Sequence, residues 1–500
     1  NTCAPQRCGW ILRSFGAVWA SSSKNRGCMQ LRQALRGNLI YTIIQFSLPM
    51  ITMVWFAHAL GAAAFGELSW IESVCRILGL LFSMGIPIFG PKALMQCNSD
   101  IERKTVLNLF LRIHLGVVLF MVTVLIFCSQ GLRWTGFLPW PWIFLVSQVF
   151  QLEWYFQGTQ QFAFVIKRSL WVRLLALASV CIFINKPQDV YLGFLILTAT
   201  QIVLGFLNVL HLRSKWIFSF RLGIDKSLAW LRPLFWVSIS SLMITGYTLL
   251  DTVILGWYSD SMDVGNYSVA VRIAKLPMVL MGAFVSMIVL KLTSINKAGT
   301  FDEFETLIEK SFKTLMLVIL PITVLFISLP EVWIDLVGGF TFSEAPEVLK
   351  IVAWILPLMV ISNVFGFQVL ISMNKEQRYI FVALGGLITA LVSFFVMIPL
   401  WGLTGAAFGT LFTEFIVASL AIILSQRLKK ALYLLKFVVQ YSLLLIPIYL
   451  LLIYMGSVTD STIALCILGP GTVLVYCAFV IYFILNEQWC FQGVYSKWLG

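Results

Sequence analysis

Charge is what this sequence most lacks. Asp, Glu, Lys and Arg together make up 11% of its 500 residues, where a soluble domain carries about 25%. With 60% hydrophobic residues and a mean hydropathy of +0.91, that shortage excludes an ordinary water-soluble protein. Acidic residues are the scarcer sign, 22 against 35 Lys and Arg, and histidine falls to three. The ten cysteines form no CxxC and no Cys/His spacing, which argues for reduced, small apolar residues rather than a metal centre or disulfide framework. A P-loop, an HExxH and any long polar loop are missing as well, so ATP hydrolysis and zinc-dependent chemistry find no footing.

What the chain has instead is apolar length. The runs are continuous rather than alternating, which favours helices over a barrel. Each is long enough to cross about 30 Å of hydrocarbon. Fourteen are counted, at 38–60, 66–91, 105–128, 138–157, 162–184, 190–212, 229–256, 266–292, 311–329, 348–372, 378–398, 402–425, 433–454 and 462–485. The first two form a helical hairpin turned at GAAAFG, and the plan returns in the seventh and eighth, with a turn ending in Gly265. An offset of six spans separates equivalent points of the two hairpins, so both halves enter the membrane from the same side, as a parallel repeat does.

The expected fold is therefore an all-α polytopic membrane protein of about 14 transmembrane helices, two parallel six-helix lobes (6+6) plus two C-terminal helices. Its parts are an N-terminal tail (1–37), an N-lobe (38–212, helices 1–6), a cytoplasmic linker (213–228) and a C-lobe (229–425, helices 7–12). Helices 13–14 (433–485) and a C-terminal tail (486–500) complete it. Residues before Met29 look foreign to the rest and read as upstream translation or a disordered tail.

Orientation follows from the connections. Arg36, Arg103, Lys104, Lys167, Arg168, Lys313, Arg427 and Lys430 fall on one side, and Asp260, Asp263, Glu331, Asp335, Glu344 and Glu347 on the other. Basic residues mark the cytoplasmic face, so both termini are expected there. The net charge of +13 is thus dispersed over many short connections, and no nucleic-acid partner is implied.

Charge at membrane depth costs several kcal/mol on the lenient scale, roughly 2.5–3.5, and should face protein or a water-filled cavity. Glu72 and Arg76 lie one turn apart, either as a self-neutralising pair or with Arg76 lining a cavity. Arg272 and Lys275 share a face of the eighth span and, with Arg76 and Arg112, make the set of candidate substrate-binding cations. Asp251 either pairs with Arg272 or serves as a protonatable or cation-binding group. Glu414 is either hydrogen-bonded among Thr410 and Thr413 or takes part in proton coupling. Glu153 is expected to fix Lys167, Arg168 or Arg173. Asp251, Glu414, Glu72 and Glu153 are thus the candidates for coupling or gating, with no catalytic residue and no metal ligand. Trp70 and Tyr247 either stack on sugar faces or pack, and GLTGAAFGT (Gly402, Gly405, Gly409) offers a small-residue packing face.

Several stretches together resemble a known family. The first hairpin (LPMITMVWFAHALGAAAFGELSWIESVCRI), EWYFQGTQQ at Glu153–Gln161, KRSLWVRLL after it, and Asp251…Gly256…Gly265-Asn266-Tyr267 are similar to the Wzx-type polysaccharide flippases of O-antigen and related pathways. These belong to the MOP (multidrug/oligosaccharidyl-lipid/polysaccharide) exporter superfamily. The resemblance implies a flippase in the bacterial inner membrane, not an enzyme. Its cargo would be an undecaprenyl-diphosphate-linked oligosaccharide, moved from the cytoplasmic to the periplasmic leaflet. No cofactor is implied beyond H+ or Na+ coupling, and the partners are the glycolipid, the bilayer and other polysaccharide-assembly membrane proteins. A cation-coupled multidrug extruder and a lipid II flippase share the architecture and stand as alternatives.

Overall fold

The computed structural model describes residues 26–128 except 96 and 98, then 140–212 and 242–458, with single positions at 234, 238, 239 and 471. The 213–228 linker, nearly all of the fourteenth span and the C-terminal tail lie outside the described residues, as do residues 1–25. Among the described residues every regular element is helical, the form in which a backbone satisfies its own hydrogen bonds without water. Six helical stretches among the described residues are long and apolar enough to cross a membrane: Ser47–Met95, Pro187–Leu212, Phe301–Ser328, Ala345–Leu370, Glu376–Ser425 and Leu428–Gly456.

The first helix, α1 (Arg26–Phe82), contains Pro49 without a break and turns on Gly61 alone (φ 72°, ψ 176°). The expected GAAAFG turn therefore shrinks to one residue, because the alanines that follow are strong helix formers and only glycine adopts that backbone cheaply. The expected second span, 66–91, is interrupted instead. Met84 and Gly85 both take positive φ, and α2 (Ile86–Met95) starts afresh. Next come α3 (Asp100–Cys128) and α4 (Trp140–Ser147). After a 3-10 turn at Gln148–Phe150, α5 (Glu153–Gly158) is a separate short helix, so the expected fourth span is also broken. The helices α6 (Phe162–Phe183) and α7 (Val190–Leu212) follow the expected fifth and sixth spans closely.

A π turn at Leu242–Gly246 leads into α8 (Tyr247–Tyr258), and α9 runs unbroken over Ser261–Ala298. Gly265 therefore lies within α9 and not at the end of a turn. Then come α10 (Phe301–Ser328), α11 (Pro330–Val337), α12 (Ala345–Val352) and α13 (Ile355–Ile361), the last continuing as a π-helix over Ser362–Leu370. The expected eleventh and twelfth spans are the arms of α14 (Glu376–Ser425), turned on Gly402 at φ 53°, ψ −126°. The arms run back along each other: a Cβ at Gly405 would lie 2.0 Å from the Met397 carbonyl oxygen, and the Ser393 and Thr413 hydroxyls meet at 3.2 Å. The expected packing role of this glycine run thus takes a definite form. Finally α15 (Leu428–Val458) covers the thirteenth span.

The chain packs as two compact units. One comprises residues 1–269 and 374–413, the other 270–373 and 414–500. In the first, a core of Leu94, Phe110, Trp154, Tyr155 and Phe156 gathers α2, α3 and α5. Gly90 is what lets Trp154 in, since a Cβ there would stand 2.4 Å from the indole. In the second, α10 packs along α15 and α13, with Leu325, Leu329, Val332 and Leu452 as one core cluster.

Electrostatics reinforce the α10–α15 contact. Glu309 takes Lys313 at 2.7 Å and Lys430 at 2.5 Å, and Arg427 pairs with Glu305. The Lys313 ammonium, on a side chain 7% exposed, also lies over the rings of Tyr433 and Phe437. Three cations that the sequence assigns to the basic face of the membrane are therefore spent inside this unit.

Candidate functional site

In the first unit three chain turns meet at one end: Gly61, the Tyr258–Ser261 connection and Gly402. Gly402 reaches Ser259, whose Oγ would be 3.8 Å from a Cβ placed there. Just inside this end, Gly66 on α1 and Gly265 on α9 cross with no side chain between the helices. A Cβ at Gly66 would fall 1.7 Å from the Ser261 carbonyl oxygen, and one at Gly265 2.0 Å from that of Ala62. Trp70, one turn along α1, lies over Gly256 and donates its indole N–H to the Val253 carbonyl at 3.1 Å. Of its two expected roles, packing accounts for these contacts.

Deeper in the same unit sits Asp251 on α8, 2% exposed. Its Oδ2 accepts the Tyr267 hydroxyl at 2.8 Å, and Oδ1 accepts the Thr252 backbone N–H at 2.6 Å. Tyr267 Oη also meets Thr410 Oγ1 at 2.6 Å, so one phenol links α8, α9 and α14. Both carboxylate oxygens thus have partners within the first unit. A carboxylate in that position is satisfied by hydrogen bonds to its charged form, which are roughly twice as strong as neutral ones.

Glu72 and Arg76 form the pair their spacing suggested, at 2.6 Å, with the arginine side chain 58% exposed and the glutamate 17%. An exposed pair of this kind is worth little to stability, and its guanidinium remains presented outward. Arg112 is half-buried on α3, two residues before His114, which is 4% exposed. Glu153, the first residue of α5, meets Arg168 on α6 at 2.7 Å, one of the three partners expected for it. Arg168 also donates to Asn208 on α7, whose amide in turn donates to the Phe150 carbonyl at 2.9 Å. The guanidinium lies over Phe164 as well, a ring stacked on His211 at 4.0 Å between centroids. This network closes the EWYFQG segment onto α6 and α7.

The second unit holds Arg272 and Lys275, both half-buried on α9, and Glu414 on α14, 4% exposed. In the first unit the Thr410 hydroxyl bonds Ala406 and Tyr267, and that of Thr413 bonds Gly409 and Ser393. Of the eight candidates, five (Arg76, Arg112, Asp251, Glu72, Glu153) thus fall in the first unit and three in the second.

Tyr267 and Asn208 are partners that reading the sequence missed, and Thr410 was considered there only beside Glu414. Tyr267 carried a faint signal, since it stands 16 residues from Asp251 across a short connection. Asn208 carried none, being one of several polar residues along an apolar helix.

The profile of a family described as polysaccharide biosynthesis protein matches residues 36–290. The chain belongs to that family. A protein of Escherichia coli K12 named "Putative O-antigen transporter" is 23% identical over 77% of this chain and 95% of its own length. One of the same name from Shigella dysenteriae is 20% identical over 74% and 93%. Among solved structures, the lipid II flippase MurJ in an inward closed conformation superposes with a TM-score of 0.66 at 14% identity, over 90% of this chain and all of its own. An inward-facing multidrug transporter of the MATE family, MOP superfamily, gives 0.60 at 12%, over 78% and 94%. At such identities the two structures share the fold with this family member and decide nothing about cargo. All four are transporters or flippases by name, in keeping with the expectation of a transporter rather than an enzyme.

Proposed function

We propose that this protein translocates an undecaprenyl-diphosphate-linked oligosaccharide, an O-antigen or related polysaccharide repeat unit, from the cytoplasmic to the periplasmic leaflet of the bacterial inner membrane by alternating access. The observation that carries the reading is the similarity to O-antigen transporters along 95% of the length of one of them, joined to family membership over residues 36–290. The fold is shared with flippases of other lipids and with multidrug transporters, so cargo is argued from these relatives and from the charge the chain spends at membrane depth.

In this reading fourteen helices cross the membrane as 6+6+2, both termini are cytoplasmic, and the end where the three turns meet is periplasmic. Arg76, Arg272, Lys275 and Arg112 receive the diphosphate and glycan, drawn by attraction that is strong where water is scarce. The polyprenyl tail, as apolar as the bilayer, stays in lipid. Asp251, with its phenol partner, and Glu414 are the carboxylates available for H+ or Na+ coupling. Glu72 tempers Arg76, and Glu153 holds gate architecture. Other polysaccharide-assembly membrane proteins are the expected neighbours that consume the product.

The test uses a strain lacking the protein. Spheroplasts are expected to accumulate lipid-linked oligosaccharide shielded from a membrane-impermeant probe. Wild type relieves the accumulation, whereas Arg76→Ala and Arg272→Ala, expressed at the normal level, do not. Relief by both variants would discard the cationic site, and no accumulation at all would sink the glycolipid reading.

A further inference from the structure

Beyond the end of α10 the second unit carries an apolar feature that no contact within the unit accounts for. Leu329 alone separates α10 from α11, and Trp333 of α11 folds back on Phe326 of α10, ring centroids 5.3 Å apart at 77°. Trp333 also packs on the cluster of Leu325, Leu329, Val332 and Leu452, and a Cβ on Gly456 would stand 3.1 Å from Leu329. α11 therefore lies against the ends of two apolar helices, α10 and α15, at the level where both finish.

The charges of this segment keep to one side. Glu331 and Asp335 stand four residues apart on one face of α11. Lys350 on α12 meets Glu347 at 2.8 Å and Glu331 at 3.7 Å, which clips α12 to the start of α11. Leu336 is 50% exposed and stands about 140° round the helix from Glu331, at roughly 100° per residue. The chain then turns on Gly339, at φ 76°. Gly338 makes room for the Phe342 ring, which a Cβ there would meet at 2.8 Å, and Phe342 is 1% exposed. With Phe342 tucked in, Phe340 is sent out: it is 86% exposed, more than any other large apolar side chain among the described residues.

A phenylalanine held out by its own turn is not stabilised in water, since apolar surface gains by leaving it. At the ends of membrane-spanning helices the apolar medium at hand is the zone between headgroups and acyl chains, where amphipathic helices bury their apolar faces by about 5–10 Å and aromatic residues gather. The neighbouring charges are acidic, so attraction to anionic headgroups plays no part.

We propose that Leu336 and Phe340 insert into this boundary of the bilayer, making α11 and the 338–342 turn an interfacial foot of the second unit. The proposal goes beyond the transport reading and requires only that the chain spans a membrane. The Lys350 ion pairs keep the acidic side in water while the apolar side is held down. The foot fixes the height of α10 and α15 in the bilayer, as aromatic anchors do for single spans.

The test measures depth. The full chain, its native cysteines replaced, is placed in nanodiscs of phosphatidylethanolamine and phosphatidylglycerol with one nitroxide label, on Leu336→Cys, Phe340→Cys, Thr341→Cys or Glu331→Cys. Collision with oxygen, which concentrates in the bilayer, is compared with collision with a water-soluble nickel chelate. Labels at 336 and 340 should favour oxygen several-fold more than the label at 331. The label at 341 leaves both apolar side chains in place, and its collisions with nickel should rise several-fold when Phe340→Asp is added. Phe340→Ser takes the place of that variant if it does not elute as wild type. Labels at 336 and 340 as open to nickel as the one at 331 would overturn the proposal. So would labels shielded from both reagents, the sign of a covering protein such as a second copy of this chain, or a label at 341 that ignores the change at Phe340.

Discussion

Glu153→Gln and Arg168→Met remove the two halves of one buried pair, and the structure makes them unequal. The Arg168 side chain is 2% exposed and that of Glu153 27%, so water reaches the carboxylate and not the guanidinium. Removing Glu153 strands a buried cation, for which about 3–5 kcal/mol is the usual loss. Removing Arg168 leaves a carboxylate that water can solvate, together with the unmet Asn208 oxygen, at about 1–3 kcal/mol. The double variant should then lie near Arg168→Met, recovering the roughly 3–5 kcal/mol that Glu153→Gln costs alone. Loss of the monodisperse peak on heating in detergent, measured for the four proteins, gives the cycle. Glu153→Gln is expected to be lost at the lowest temperature. An Arg168→Met protein less stable than Glu153→Gln, or singles that simply add, would refute the argument that burial asymmetry governs this network.

Other expectations follow from single positions. Gly402→Ala should destabilise by about 1–3 kcal/mol, the range for a backbone region that is essentially glycine's own; since a Cβ there meets only Ser259 Oγ at 3.8 Å, Gly402→Asn should cost much the same, and a Gly402→Ala protein melting with wild type would contradict it. Glu309→Gln strands Lys313, whose side chain is 7% exposed, and should lower the melting temperature more than Lys430→Ala, which removes only the more exposed of its two partners. Burial pushes the Asp263 carboxyl above its usual range, with the neighbouring Asp260 adding to the effect and a hydrogen bond from Ser259 opposing it. A raised carboxyl binds more protons folded than unfolded, so its contribution to stability falls as pH rises through the carboxylate range. Asp263→Asn should therefore melt slightly above wild type near neutrality, with the gain vanishing toward about pH 3; a gain that persists in acid would point to another cause.

Hydropathy located α6 and α7 almost to the residue, because an apolar run bounded by Gln161 or Asp189 has only one way to lie in a membrane. It was less informative where a break is cheap. Gly61 turns α1 without the loop that GAAAFG suggested, and Gly85 divides a continuous apolar run, since hydropathy counts glycine as filler while the backbone uses it as a joint. The partners of the charges were legible at short separations along the chain, as for Glu72 with Arg76 and Glu153 with Arg168. Glu72 and Arg76 could be paired by spacing, whereas the bond from Tyr267 to Asp251 depends on the rotation of α8 about its own axis, which leaves no trace in sequence depth. Arg168 looked like one more cytoplasmic cation because its position near a span end was visible and its burial against Asn208 was not.

The EWYFQG segment has a consequence for how such chains are recognised. Its aromatic residues are interior, with Trp154, Tyr155 and Phe156 all at most 3% exposed, and its glutamate is committed to Arg168. A string so placed is masonry: it reports which building a chain belongs to and carries no address for the goods that pass through. Sugars can change from one lineage to the next without any pressure on it, so a search keyed to those six letters would gather the architecture and mix the cargoes.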